Sequence, residues 1–168
     1  SCSMSLIGDD LNGIAAKAAL SCPYVTMDCG GLIGGFVEGY TKAALSVLDK
    51  CLELPAQAQK QVINLLGQTD FYLHGRDDTE EMVRLLQKAG YKVQAVPGSG
   101  SSVDELKHLG NAQLNIVTNE ELGLPLAEYL KKRCGTPYIL AGLPYGIEGT
   151  KSWLARIHDA LPAPELGA

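Results

Sequence analysis

Apolar residues along the chain follow two rhythms. Short dense runs, such as Val62-Ile63-Asn64-Leu65-Leu66 and Leu114-Asn115-Ile116-Val117, alternate with stretches whose apolar positions return at helical spacing. The dense runs predict buried strands and the spaced ones predict amphipathic helices. Leu6-Ile7 reads as a strand end. Leu11, Ile14, Ala15, Ala18 and Ala19 mark a helix over 10–20. Gly8 lets the chain turn into that helix, Asp9 or Asp10 caps it, and Cys22-Pro23 stops it. Residues 24–27 read as a strand. Residues 36–52 read as a helix with Val37, Tyr40, Ala44, Leu45, Leu48 and Leu52 on one face.

The second part repeats the alternation. Strands are predicted over 62–67, 91–96, 114–117 and 138–141. Between them lie a helix capped by Asp77 or Asp78 and closed by Gly90, a short helix over 103–109, and a helix around 125–133. Thr118-Asn119-Glu120-Glu121 reads as an ordinary helix start, and a final helix is expected over about 150–161. Strand–helix alternation predicts an α/β fold, a doubly wound and mainly parallel Rossmann-like sheet with helices on both faces. Residues 54–60 carry a proline and polar side chains and read as a linker. The expected organisation is therefore a βα segment over 1–54, a second Rossmann-like domain over 61–161, and a flexible tail over 162–168. A weak echo between Pro23-Tyr24-Val25 and Pro137-Tyr138-Ile139, each leading into a glycine-containing turn, suggests two similar layers.

Composition narrows the partners. The formal net charge is −5, so no broad basic field draws the chain to nucleic acid or to an anionic membrane. No apolar run approaches the roughly 20 residues that cross a bilayer. No basic n-region with an apolar h-region is visible, although the sequence opens abruptly at a strand entry. The five cysteines are scattered and form no CxxC pair, which argues against a disulfide framework and predicts a reducing cytoplasm. The three histidines show no metal-ligand spacing, so a self-contained zinc site is not expected.

Candidate chemistry sits in the turns. Cys2 precedes Leu6-Ile7-Gly8-Asp9-Asp10, which places a thiol near the open end of a strand-turn-helix unit. Spacing alone equally allows a cysteine that merely begins a βα unit. Gly30-Gly31-Leu32-Ile33-Gly34-Gly35 is a glycine-rich turn whose N–H groups suit an anion at a helix start. It lacks the Lys-Ser/Thr of a P-loop and the Rossmann GxGxxG spacing, and a tight packing turn explains it as well. The hydroxyl-rich loop 97–102 is a weaker anion candidate. Asp9, Asp10, Asp77, Asp78, Glu80 and Glu81 stand at predicted helix starts, where capping and the helix dipole account for them. His74 and Arg76 share one polar loop, and His158 lies on the last helix. No Ser/His/Asp or Cys/His catalytic arrangement assembles.

Taken together, Cys2 with Leu6-Ile7-Gly8-Asp9-Asp10 and then Asp28-Cys29-Gly30-Gly31-Leu32-Ile33-Gly34 resemble the nitrogenase component 1 family. That family includes the molybdenum-iron protein subunits, their cofactor-scaffold relatives and the dark-operative protochlorophyllide reductase. The resemblance continues through Asn64-Leu65-Leu66-Gly67, Leu114-Asn115-Ile116-Val117, Gly135-Thr136-Pro137-Tyr138 and Pro144-Tyr145-Gly146-Ile147, about residues 1–160. It implies that Cys2 ligates an iron–sulfur cluster at an interface with a homologous component 1 subunit, in a homo- or hetero-oligomer. It implies that Gly30 and Gly31 let backbone approach that cluster. It also implies electron delivery from an ATP-dependent iron–sulfur reductase. Thiolates suit iron, but a cluster takes about four ligands. The family's other cluster cysteines lie upstream of the Cys2 motif, so either the sequence is a fragment, inactive by itself, or the cluster function is gone. In the catalytic α subunit a cysteine follows the strand matching 114–117 and holds the large metal cofactor. Here Thr118 and Asn119 stand there, which resembles a β-type, scaffold or reductase relative. The alternative expectation is a cofactor-free α/β module for a small anion, or an inactive isolated domain.

Overall fold

A computed structural model describes residues 10–27, 34–55 and 57–163. The chain divides into two compact units between residues 50 and 51.

The first unit contains α1 (Leu11–Lys17) and most of α2 (Phe36–Cys51). Asp10 caps α1 by accepting a hydrogen bond from the Gly13 amide at 2.8 Å. The predicted strand over 24–27 is not formed, and this stretch carries no regular structure. A strand needs a neighbour for its ladder bonds, and no described segment pairs with this one. The strand end expected at Leu6-Ile7 lies outside the described residues.

The second unit is a parallel four-stranded sheet. Its strands are β1 (Val62–Leu66), β2 (Lys92–Val93), β3 (Leu114–Val117) and β4 (Tyr138–Leu140), in the order β2-β1-β3-β4. The helices are α3 (Gly75–Lys88), α4 (Val103–Lys107), α5 (Glu120–Cys134) and α6 (Gly146–Ala160), with a 3₁₀ turn at Leu109–Asn111. Every residue of β1 and β3 is buried, as two covered faces require. On one face Ile63, Leu65 and Ile116 pack with Met82 and Leu86 of α3 and with Trp153 and Ile157 of α6. On the other face α5 packs on β1 and β3, with Gly123 against Leu66 and Val117. The fold is thus doubly wound α/β with helices on both faces.

Two helices, α3 and α6, start away from their expected positions. α3 begins at Gly75, before Asp77 and Asp78, which lie in its first turn. Its N-cap, His74, is left-handed and makes no side-chain cap. Gly75 is pressed against the Thr69 carbonyl, where a Cβ would collide, so packing rather than a carboxylate sets this start. α5 begins at Glu120, at the helix start expected from Thr118-Asn119-Glu120-Glu121, is capped by the Asn119 side chain on the Leu122 amide, and runs unbroken through Pro125 into the stretch expected around 125–133. Proline one turn from a helix start removes a single interior bond, which this buried helix absorbs. α6 begins at Gly146, and Thr150 donates its hydroxyl back to the Pro144 carbonyl within the first turn. β2 is only two residues long, although Gln94 and Ala95 still exchange backbone bonds with Ile63 and Leu65. Among the described residues no helix is long and apolar enough to cross a membrane.

Candidate functional site

The strand order reverses between β1 and β3, since β1 leads outward to β2 and the chain then crosses back to β3. In an open α/β sheet this reversal opens a crevice at the carboxyl ends of the strands, the usual ligand position. The loops entering it are 67–74 after β1, 97–101 after β2, 118–119 after β3 and 141–145 after β4.

The floor of the crevice is a buried polar network. Gln68 follows β1 and donates from Nε2 to the Thr118 hydroxyl at 2.6 Å. Thr118 follows β3 and donates that hydroxyl to the Leu66 carbonyl at 3.0 Å. Thr79 of α3 donates to the Gly75 carbonyl at 2.8 Å, with Gln68 Oε1 at 3.5 Å. Asp70 joins the loops after β1 and β2. Its amide donates to the Gly98 carbonyl at 3.0 Å, and its carboxylate accepts from the Ser99 hydroxyl at 2.5 Å. Gln68, Thr69, Thr79, Ser99 and Thr118 are all buried. Burial of so many polar groups is tolerable because these bonds satisfy them.

The loops after β1 and β4 and the start of α6 also carry exposed apolar side chains. Phe71 is 84% exposed, Leu73 87%, Tyr145 71% and Ile147 75%. His74 lies beside them with Nδ1 3.6 Å from Asp77 Oδ2, both largely exposed. The amide and hydroxyl groups of this network hold the loops after β1, β2 and β3 together, while exposed aromatic and aliphatic side chains stand on the loops after β1 and β4 and at the start of α6.

The candidates named from sequence separate clearly. Cys2, Gly30 and Gly31 lie outside the described residues. Gly34 and Gly35 lead into α2, but the Gly35 amide donates to Glu38 Oε2 at 3.0 Å, so the helix's own carboxylate occupies that anion position. In loop 97–102 the hydroxyls are engaged internally. Ser99 donates to Asp70, Ser101 Oγ accepts from the Val96 amide at 2.8 Å, and Ser102 forms a capping box with Glu105. Arg76 pairs with Glu80 at 3.2 Å and stands apart from a shared His74 site. Thr118 and Asn119 fasten β3 to β1 and cap α5.

Three described cysteines are free thiols: Cys22 is exposed, and Cys51 and Cys134 are partly buried. Burial raises the Cys51 and Cys134 thiols above their ordinary range, opposed only weakly by Lys107 and by Arg133 respectively. Neutral thiols are poor metal ligands. Among the described residues no group of three or more His, Cys, Asp or Glu side chains is placed to hold a metal ion. The described part thus supplies no ligand set for a cluster.

Gln68 and Thr79, missed from sequence, and Thr118, read there only as part of a helix start and in the place of a cysteine, are ordinary polar residues just past strands or within a helix. Their signal was positional, and it required the strand order.

Comparison with known proteins agrees with this fold. A family model described as nitrogenase component 1 type oxidoreductase matches residues 1–166. The B subunit of light-independent protochlorophyllide reductase from Synechococcus elongatus is 32% identical over 178 aligned positions, covering 95% of this chain and 33% of the relative. Its counterpart from Chlorobium phaeobacteroides is 31% identical, covering 96% of this chain and 30% of the relative. A solved chain of nitrogenase Cp1 at pH 6.5 superposes with a TM-score of 0.75 at 24% identity, covering 95% of this chain and 34% of that one. The chain therefore spans about a third of the length of the relatives it matches. It belongs to the nitrogenase component 1 type oxidoreductase family.

Proposed function

We propose that this chain is part of a component 1-like oxidoreductase or cofactor-assembly subunit of the reductase type. In this reading Cys2 ligates an iron–sulfur cluster at an interface with a homologous subunit, and Gly30 and Gly31 let backbone approach it. Electrons arrive from an ATP-dependent iron–sulfur reductase, and the assembly works in the cytoplasm. The observation that carries the proposal is the family match over residues 1–166, with the B subunits of light-independent protochlorophyllide reductases among the similar proteins. Thr118 after β3, where the catalytic α-type chain is expected to carry a cysteine, fits a β-type, scaffold or reductase relative, and the similar B subunits favour the reductase type among these. When bound, the cluster would supply one-electron transfer. Among the described residues no group of three or more His, Cys, Asp or Glu side chains is gathered to hold it.

The small-anion alternative loses support from the described turns. Glu38 occupies the Gly35 amide, and the hydroxyls of loop 97–102 serve their own backbone and Asp70. A direct test is to reconstitute the longest natural form of this chain anaerobically with ferrous iron and sulfide. The visible cluster absorbance is then followed after adding the ATP-dependent reductase component of a light-independent protochlorophyllide reductase. Bleaching that requires ATP supports the proposal, and absorbance unaffected by reductase and ATP contradicts it.

A further inference from the structure

β1 and β3 form the centre of the sheet, and both are apolar on both faces except at one position each. When one face of a strand is wet, the apolar–polar alternation specifies its register. Here both faces are covered, so Val62-Ile63-Leu65-Leu66 and Leu114-Ile116-Val117 offer no alternation to choose between one pairing and a slipped one. The exceptions are Asn64 and Asn115, and they are direct register partners. Both side chains are fully buried. Asn64 Nδ2 donates to Asn115 Oδ1 at 2.7 Å and to the Leu109 carbonyl at 2.9 Å.

This pair is poorly built for stability. Asn64 Oδ1 and Asn115 Nδ2 are buried with no hydrogen-bond partner among the described residues. A half-satisfied buried amide pair is worse than an apolar filling of the same shape. It is well built for selection. A slip by one residue sends one amide to the opposite face of the sheet, and a slip by two separates the amides along the strands. Either slip strands two buried amides, as a single buried asparagine does when it fixes the register of a coiled coil.

We propose that Asn64 and Asn115 act as a register lock between the two central parallel strands, and that the Asn64 bond to Leu109 extends the lock to the 3₁₀ turn. The Gln68–Thr118 floor of the crevice depends on this register, because its two residues follow β1 and β3 directly.

The test is made on the 168-residue chain. In N64L or N115L alone one amide is left without its partner, and the folded-to-unfolded ratio in urea is expected to fall by about tenfold or more. The double variant N64L/N115L is expected to fold but to give more than one set of amide resonances for residues of β1 and β3. A smaller pair, N64A/N115A, carries the same readout if the leucines overpack. A single native set of resonances in a folded double variant would overturn the proposal, because the register would then be set elsewhere. Loss of folding in both double variants would also overturn it, because the amides would then serve stability rather than selection.

Discussion

The Gly67 backbone lies against Asn119, so that a Cβ added to Gly67 would sit 2.6 Å from the Asn119 carbonyl oxygen and 2.8 Å from its amide nitrogen. Gly67 also holds φ at +98°, which side chains other than glycine's rarely permit. This contact lets the loops after β1 and β3 meet over the crevice floor. Gly67→Ala therefore combines backbone strain, roughly 1–3 kcal/mol, with a collision against backbone that cannot swing away. Urea unfolding should show a loss at or above that range. A loss below about 0.5 kcal/mol, the size of an ordinary surface change, would show that the loops part easily.

Thr118 ties the same two loops through its hydroxyl. Thr118→Val keeps the shape and deletes the bonds to the Leu66 carbonyl and from Gln68 Nε2. Leaving the buried Gln68 amide unpaired costs about 1–3 kcal/mol. Thr118→Ser, which keeps the hydroxyl, should recover most of that loss. A loss in Thr118→Ser with none in Thr118→Val would point to the methyl group and not to the network.

Alkaline conditions test burial in the first unit. Burial pushes the Tyr40 phenol up to about 12. The folded pKa lies above the unfolded one, near 10, so Tyr40's contribution is fully present below pH ~10 and is lost as pH rises toward about 12. The shift corresponds to roughly 2–3 kcal/mol. Tyr40→Phe should flatten the fall in stability over that window. An unchanged pH profile in the variant would show that the phenol is not shielded.

The thiols should react in the order of their exposure. Cys22 is exposed, whereas burial raises Cys51 and Cys134. Alkylation of the native chain at neutral pH, followed by mass spectrometry, should label Cys22 well before the other two. Labelling of Cys134 at the same rate would contradict its packed, neutral role.

The two central strands were legible because their apolar runs are short and dense, and β3 has the bounds expected of it. The stretch 24–27 is likewise rich in strand-forming residues but has no pairing segment among the described residues, so residue type alone overstated it. Helix starts were misplaced where packing outweighed residue type. Asp77 and Asp78 are good capping residues, yet Gly75 packing under Thr69 begins α3 sooner, whereas the start of α5 at Thr118-Asn119-Glu120-Glu121 was legible from its capping residue. The crevice was not legible. Gln68 and Thr118 are 50 residues apart, and only the order β2-β1-β3-β4 brings them together. The family was readable from motifs, whereas Cys2, Gly30 and Gly31 lie outside the described residues, so their roles rest on resemblance.

Cluster ligation by Cys2 is best tested by the iron and acid-labile sulfide content of the longest natural form of this chain after anaerobic reconstitution, compared with its Cys2→Ala variant. Ligation predicts substantial iron and sulfide in the native protein and a marked drop in the variant, with both proteins folded. Equal iron in the two would remove Cys2 as a ligand. A folded native protein that binds no iron would contradict the cluster proposal altogether.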